Sequence, residues 1–354
     1  MKVAFIGPPK SGKSTLFSAA TGHAVDPFAA HEPIHAVVRV PDPRLTYLTE
    51  LCQPKKVTEA TLEFVDIPGF AFDDPKGRDT WRKLLPTVRQ AELLVVVVRD
   101  FQSASVEPFR GRVDATADFS AMWEELIFAD LDTVTTRVER LEKSLKKPTK
   151  THEQEKRELT LLIKCRDALE GGKPLSTVLT SEDERRMVAS FSFVTEKPLA
   201  CVRNVSDDQM STAQPLHVEH SVASLAMCAS FEAEIASLEP DDRPAFLAEM
   251  GLKEPARDRL IRACYDACGL ISFLTMGADE VRAWTVAKGS TAVDAASKIH
   301  TDLARGFVRA ETVSYADLFS NKDMRGAKAA GKVRKEGKTY LVADGDIMNI
   351  LANT

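Results

Sequence analysis

The stretch GPPKSGKSTLF, residues 7–17, decides the reading of the N-terminal half. Two glycines, Gly7 and Gly12, bracket four residues, and Lys13, Ser14 and Thr15 lead into an apolar run. Immediately before it, KVAFIG has the length and composition of a buried strand ending at a glycine. After it, the residues from Ser14 to Gly22 read as a helix with Leu16, Phe17 and Ala20 on one face. A glycine-rich turn between strand and helix aims backbone N–H groups at an anion lying at the positive helix end. The spacing GxxxxGK[ST] arises by chance in about one chain in a hundred of this length. Residues Gly7, Pro8, Pro9, Lys10, Ser11, Gly12, Lys13, Ser14 and Thr15 are therefore the candidate phosphate cradle. Lys13 would reach the β- and γ-phosphates, and the Ser14 hydroxyl would ligate Mg²⁺.

Such a metal needs a carboxylate besides the hydroxyl. TLEFVDIPGF (61–70) supplies one, because Leu62, Phe64 and Val65 form a strand that ends on Asp66. Asp66 is predicted to hold Mg²⁺ through water, and the Gly69 N–H to meet the γ-phosphate, so Lys13, Asp66 and Gly69 form the candidate catalytic set. A base-reading element follows in KPLACVRNVSDD (197–208), a strand that ends on Asn204, Val205, Ser206 and Asp207. Guanine readers place Asn-Lys-x-Asp here; this chain keeps the terminal acid, Asp207, but has Val205 for the lysine. A further strand ends on Cys228, Ala229 and Ser230, where a backbone N–H would contact the base edge. ATP and GTP both remain open on this reading.

The 354 residues, 44% hydrophobic and 28% charged, suffice for two or three domains with cores. A net charge of −5 argues against a surface built wholly for nucleic acid. No signal peptide and no stretch of eighteen apolar residues is present, so a cytoplasmic protein without membrane contact is expected. The six cysteines are scattered and read as reduced thiols.

Ile127, Leu131, Val134, Val138, Leu141 and Leu145 recur at spacings of four and three, the seam of a coiled coil. Around Pro148 the pattern breaks; from Glu153 to Leu169 it resumes, which predicts an antiparallel helical hairpin. From Ile271, short strands (EVRAWTVA and TYLVA) with a helix through Ala292, Ala295, Ala296 and Ile299 predict an α+β unit. Near its end Lys322, Arg325, Lys328, Lys332, Arg334, Lys335 and Lys338 face only Asp323 and Glu336 in sequence. This cluster reads either as a solvated face or as a contact for RNA phosphates.

With these pieces in order, the chain resembles the YchF subfamily of Obg-like P-loop NTPases nearly end to end. VPDPRL (40–45), EFVDIPG (63–69), FADLDT (128–133), GLKEPARDRLIRACY (251–265) and most of residues 281–350 carry the likeness. The resemblance implies an α/β fold: a Ras-like P-loop domain with a mostly parallel sheet (1–118 and 190–270), a helical coiled-coil insert (119–189) and a ubiquitin-like TGS domain (271–354). It also implies slow, Mg²⁺-dependent hydrolysis that prefers ATP to GTP, binding to the ribosome or ribosomal RNA through the hairpin and the basic segment, and a monomer. The chain departs from the family at three places: Ala30 stands where the first switch has a threonine, the segment after Gly69 has one glycine where the family's second switch has several, and Pro108 stands where the family has a histidine implicated in hydrolysis. Apart from the resemblance, Phe70 occupies the position where a Ras-like enzyme has the glutamine that orients water. The alternative readings are a nucleotide-binding interaction module with little or no hydrolysis, and a GTP-specific GTPase.

Overall fold

The computed structural model describes residues 1–23, 32–146 and 151–353. Ala30 and Pro148 lie outside them. Two compact units emerge: Met1–Ala36 with Glu63–Leu260, and Val37–Leu62 with Ile261–Thr354.

Along the chain, β1 (Lys2–Ile6), α1 (Lys13–Thr21), β2 (Ile34–Arg39), α2 (Pro43–Cys52), β3 (Lys56–Thr58), β4 (Thr61–Asp66), α3 (Pro75–Arg89) and β5 (Leu93–Asp100) come first. The long helices α4 (Ala115–Ser144) and α5 (His152–Glu170) follow, then α6 (Glu182–Val188), β6 (Leu199–Val205), β7 (Ala223–Met227), α7 (Ala229–Ser237), α8 (Arg243–Glu249) and α9 (Ala256–Ala267). In the first unit the strands run β4-β1-β5-β6-β7, each neighbouring pair parallel. Seven consecutive residues of β5, Leu93 to Arg99, are buried, as expected for a central strand covered on both faces. Parallel order puts the C-terminal ends of β1, β4, β5 and β6 on one edge, where loops of an open α/β sheet gather around ligands.

Helices α4 and α5 form the hairpin read from the sequence. Val134, Val138 and Leu141 pack with Leu162, Cys165 and Leu169 in one apolar cluster. Arg137 donates to both carboxylate oxygens of Glu158 (2.7 and 2.8 Å), and Ser144 Oγ donates to Glu155 at 2.9 Å. Later residues of α4 thus meet earlier residues of α5, so the helices are antiparallel. At the base of the hairpin, fully buried Asp130 accepts from the Val194 and Thr195 N–H groups and the Thr195 hydroxyl, and faces Arg89 Nη1 at 3.1 Å. Burial alone would drive this carboxyl toward its neutral form; the Arg89 charge and the three donors oppose that.

The second unit adds β8 (Leu270–Thr275), β9 (Glu280–Ala287), α10 (Ala292–Ile299), α11 (Thr301–Arg305), β10 (Phe307–Ser314), α12 (Tyr315–Ser320), α13 (Met324–Ala329), β11 (Arg334–Glu336) and β12 (Asp346–Ala352). Its sheet has the order β11-β10-β12-β8-β9-β3. Ala292, Ala295 and Ala296 of α10 pack on Phe273, Val286, Phe307 and Met348. The boundaries read from the sequence gave residues 37–62 to the nucleotide-binding part. By compactness they group with the C-terminal residues, because β3 pairs in parallel with Glu280–Arg282 of β9. TYLVA is not a strand: of that segment only Leu341 pairs, in an isolated bridge to Thr291. Folding also brings acids to the basic run, since Lys332 meets Asp317 at 3.1 Å and Arg334 meets Asp346 at 3.6 Å.

Candidate functional site

The loop from Gly7 to Gly12 joins β1 to α1 through backbone that side chains disfavour. Gly7 has φ 151°, Lys10 62° and Gly12 87°. A Cβ on Gly7 would overlap the Val97 carbonyl, and one on Gly12 would overlap Asn204 Nδ2, so neighbours and φ together require glycine at both positions. Gly12 caps α1 in the left-handed conformation, and as a glycine it offers no side chain to accept from the first-turn N–H groups. Those donors face the end of the loop with the positive end of the helix dipole behind them.

Lys13 is buried beneath this loop, and burial pulls its pKa down from the ordinary lysine value, against the pull of the Asp66 charge. Asp66 ends β4 beside it. Burial pushes its carboxyl up, while the Lys13 charge and the Ser14 hydroxyl hold it down. One carboxylate oxygen, Oδ1, is buried with no hydrogen-bond partner among the described residues, and so is the Ser11 hydroxyl. Gly69 closes the arrangement: a Cβ there would sit 2.9 Å from Pro9 Cα and 3.4 Å from Lys13 Nζ. The structure thus brings Lys13, Ser14, Asp66 and Gly69 together, although up to 56 positions separate them in sequence.

Beside the loop lies a cavity of about 340 Å³ lined by Gly12, Thr15, Asn204, Val205, Ser206, Asp207, Ala229 and Ser230, together with Phe101, Gln102, Ser103 and Val106. That volume falls in the range of small-ligand sites. Asn204, itself on the cavity wall, also braces it: its Nδ2 donates to the Ser11 carbonyl and its Oδ1 accepts from the Ala229 N–H, both at 2.9 Å, so the amide clamps two loops. Val205, which lines the cavity, and Cys228 both bury their side chains in a cluster with Phe231 and Ile235, so what they can offer a base is backbone. Asp207, Ser206 and Ser230 remain as polar groups on the wall.

The loop after β5 was missed as part of this wall. The signal for it is topological: β5 pairs with β6 up to Asp100 opposite Val205, so the loop from Phe101 must emerge beside Asp207. Buried Arg99 braces that loop, donating to the Phe101 carbonyl at 3.0 Å and the Val106 carbonyl at 2.9 Å, with its guanidinium 4.3 Å from the Phe101 ring centre. Of the departures noted in the sequence, Phe70 is buried and stacked on Trp81 at 4.5 Å. Pro108 precedes a short turn at Phe109–Gly111.

Among the described residues no group of three or more His, Cys, Asp or Glu side chains is placed to hold a metal. Ser14 and Asp66 offer two hard oxygen ligands, one of them the unpartnered Oδ1, which suits a Mg²⁺ whose remaining ligands are phosphate oxygens and water. No described helix is long and apolar enough to cross a membrane.

A family model described as "50S ribosome-binding GTPase" matches residues 2–164. The YchF-GTPase C-terminal model, described as "Protein of unknown function (DUF933)", matches residues 270–353. The ribosome-binding ATPase YchF of Escherichia coli O157:H7 is 39% identical over 99% of both chains, and that of Bacillus subtilis is 39% identical over 98% of both. The solved Schizosaccharomyces pombe YchF GTPase superposes with a TM-score of 0.84 at 28% identity, covering 99% of this chain and 97% of that one. With the phosphate loop, the parallel sheet and the C-terminal unit all matched along one continuous chain, the protein belongs to the YchF family of P-loop NTPases.

Proposed function

We propose that the protein is a Mg²⁺-dependent nucleotide-binding ATPase of slow turnover that associates with the ribosome. The observation that carries the nucleotide part is the buried Lys13 and Asp66 pair beneath the Gly7–Gly12 loop, beside a cavity of base-accepting size. A buried ammonium with one carboxylate and N–H donors around it is matched to a polyanion that also carries a divalent cation. Ser14 and Asp66 would hold Mg²⁺, which when bound offsets charge on the β- and γ-phosphates. Lys13 holds the same phosphates as a fixed positive charge, and the Gly69 N–H is offered to the γ-phosphate. Asp207 accepts from base N–H donors, while Asn204 keeps the two base-side loops in place. ATP is preferred, because the base wall lacks the lysine of guanine readers; the relatives' name supports the same preference. Ribosome association rests on the relatives as well, with the basic run of the second unit and the hairpin as contact surfaces.

Equilibrium competition of ATP, GTP and ADP against one fluorescent nucleotide in Mg²⁺, with phosphate release read in the same samples, tests the proposal. ATP binding more tightly than GTP, with slow phosphate release, supports it; a tight GTP preference counts against the ATP assignment. A second reading is favoured by the burial of Phe70 against Trp81, which leaves that position without a side chain to orient water. On it, nucleotide is a structural ligand of an interaction module. Tight ATP binding with no phosphate released over hours would support this reading, as would an Ala30→Thr variant no faster than the parent.

A further inference from the structure

The phosphate loop carries a second lysine, and its setting differs from that of Lys13 in every respect. Lys13 is buried and faces Asp66. Lys10 is exposed and makes no ion pair or side-chain hydrogen bond among the described residues. With Lys13 and Asp66 offsetting each other, Lys10 is the uncompensated charge of the loop. It also holds a left-handed φ of 62°, a conformation that glycine or asparagine takes more easily. A long cationic side chain kept at such a position of a ligand loop points to a use for the side chain.

The loop has a direction that says where this charge lies. Gly12 and Thr15 border the cavity proposed for the base. At the opposite side, the Cβ direction of Gly69 meets Pro9, the neighbour of Lys10, at 2.9 Å. Lys10 therefore sits at the end of the loop nearest the DxPG turn, the end given to the γ-phosphate. Phe70, the next residue, is stacked on Trp81 in the core and brings no polar group there.

We propose that Lys10 is a catalytic residue that supplies from within the chain the positive charge stabilising phosphoryl transfer. This deepens the hydrolysis reading above and rests on it. In that step a water oxygen bonds to the γ-phosphorus, and the bond from phosphorus to the β,γ-bridging oxygen breaks. The bonding pair stays on the ADP oxygen, and the water's proton leaves with inorganic phosphate or to solvent. The Lys10 ammonium lies against the bridging and γ-oxygens as their negative charge grows, and transfers no proton. A charge placed where negative charge develops lowers the barrier more than it tightens the ground state.

The test is phosphate release from ATP in Mg²⁺ by the wild type, Lys10→Met and Lys10→Arg, with ATP and ADP affinities measured on the same preparations. Lys10→Met is expected to lower kcat by about 10- to 100-fold while both affinities stay within about threefold, with Lys10→Arg retaining most of the rate. Retained affinity shows that the loop is folded. A Lys10→Met turnover within about twofold of an active wild type overturns the role of Lys10 and leaves the hydrolysis reading standing. So does a variant that loses ATP affinity at unchanged kcat, since Lys10 is then a binding group only. A wild type that binds ATP and releases no phosphate overturns the hydrolysis reading itself, and this role with it.

Discussion

Asn204 Nδ2 donates to the main-chain oxygen of Ser11 at 2.9 Å, and this bond spans 193 positions of sequence. The other end of the same amide accepts from Ala229, so one buried side chain fixes the phosphate loop and the loop ahead of α7. Asn204→Ala leaves a buried carbonyl and a buried N–H without partners, at a cost of about 1–3 kcal/mol each in the worst case. Urea denaturation should show a loss of about 2–4 kcal/mol, and nucleotide affinity should fall along with it because the loop is no longer held.

Phe101 and Asp207 both line the cavity, and on the proposed function they would meet a base in different ways. An aromatic face stacks on any base, with base–aromatic contacts worth about 1–3 kcal/mol. Phe101→Ala should weaken ATP and GTP alike, by about tenfold, in competition binding. Asp207→Ala should instead change the ratio of the two affinities, because a carboxylate on the base edge distinguishes donors from acceptors.

The contact between Arg89 and Asp130 joins the last turn of α3 to the hairpin, and Asp130 has no exposed surface. Arg89→Met would leave a buried carboxylate whose charged partner is gone, a change that costs about 3–5 kcal/mol in comparable sites. The expected result is an urea midpoint lowered correspondingly, with ATP affinity in the surviving folded protein nearly unchanged. A shift near zero would mean that the Thr195 and Val194 donors alone satisfy Asp130.

Glu184 gives a pH signature. Its carboxylate accepts from the Ser181 N–H, the Lys164 ammonium and the Thr180 N–H, which together hold its pKa at about 2, below the 4.5 of a free glutamate. A depressed acid stabilises the folded state above its unfolded pKa, and that contribution disappears as pH falls through the folded value. The stability difference between wild type and Glu184→Gln should therefore be constant above about pH 5, shrink as pH falls through 4.5, and vanish near pH 2. A difference independent of pH would show that the neutral hydrogen bonds, rather than the charge, carry the effect.

What could be read in the sequence was local. The loop from Gly7 to Thr15, Asp66 at the end of its strand, and the hairpin seam are each set by spacing within one element or one turn, and the structure places them as spaced. Asn204 shows the limit. Its place at the end of a strand is legible, but its bonds to Ser11 and Ala229 reach 193 and 25 positions along the chain, beyond any spacing within one element. Phe101 was hidden for the same reason, because its place beside Asp207 follows from strand order, which no local pattern records. Residues 37–62 join the C-terminal unit through the three paired residues of β3 and through α2, whose Tyr47 packs on Tyr315 and Phe319, contacts between distant segments that no local period records.

If Lys13 and the Gly7–Gly12 loop hold nucleotide phosphate, calorimetric titration of ATP with Mg²⁺ into the wild type and Lys13→Ala will show it. Saturable one-to-one binding to the wild type is expected, weakened by about 100-fold or more in Lys13→Ala, since a charge-assisted contact to phosphate is lost in a buried site. A wild type that takes up no ATP, or a Lys13→Ala variant that binds it equally well, would mean that the loop is not a phosphate site.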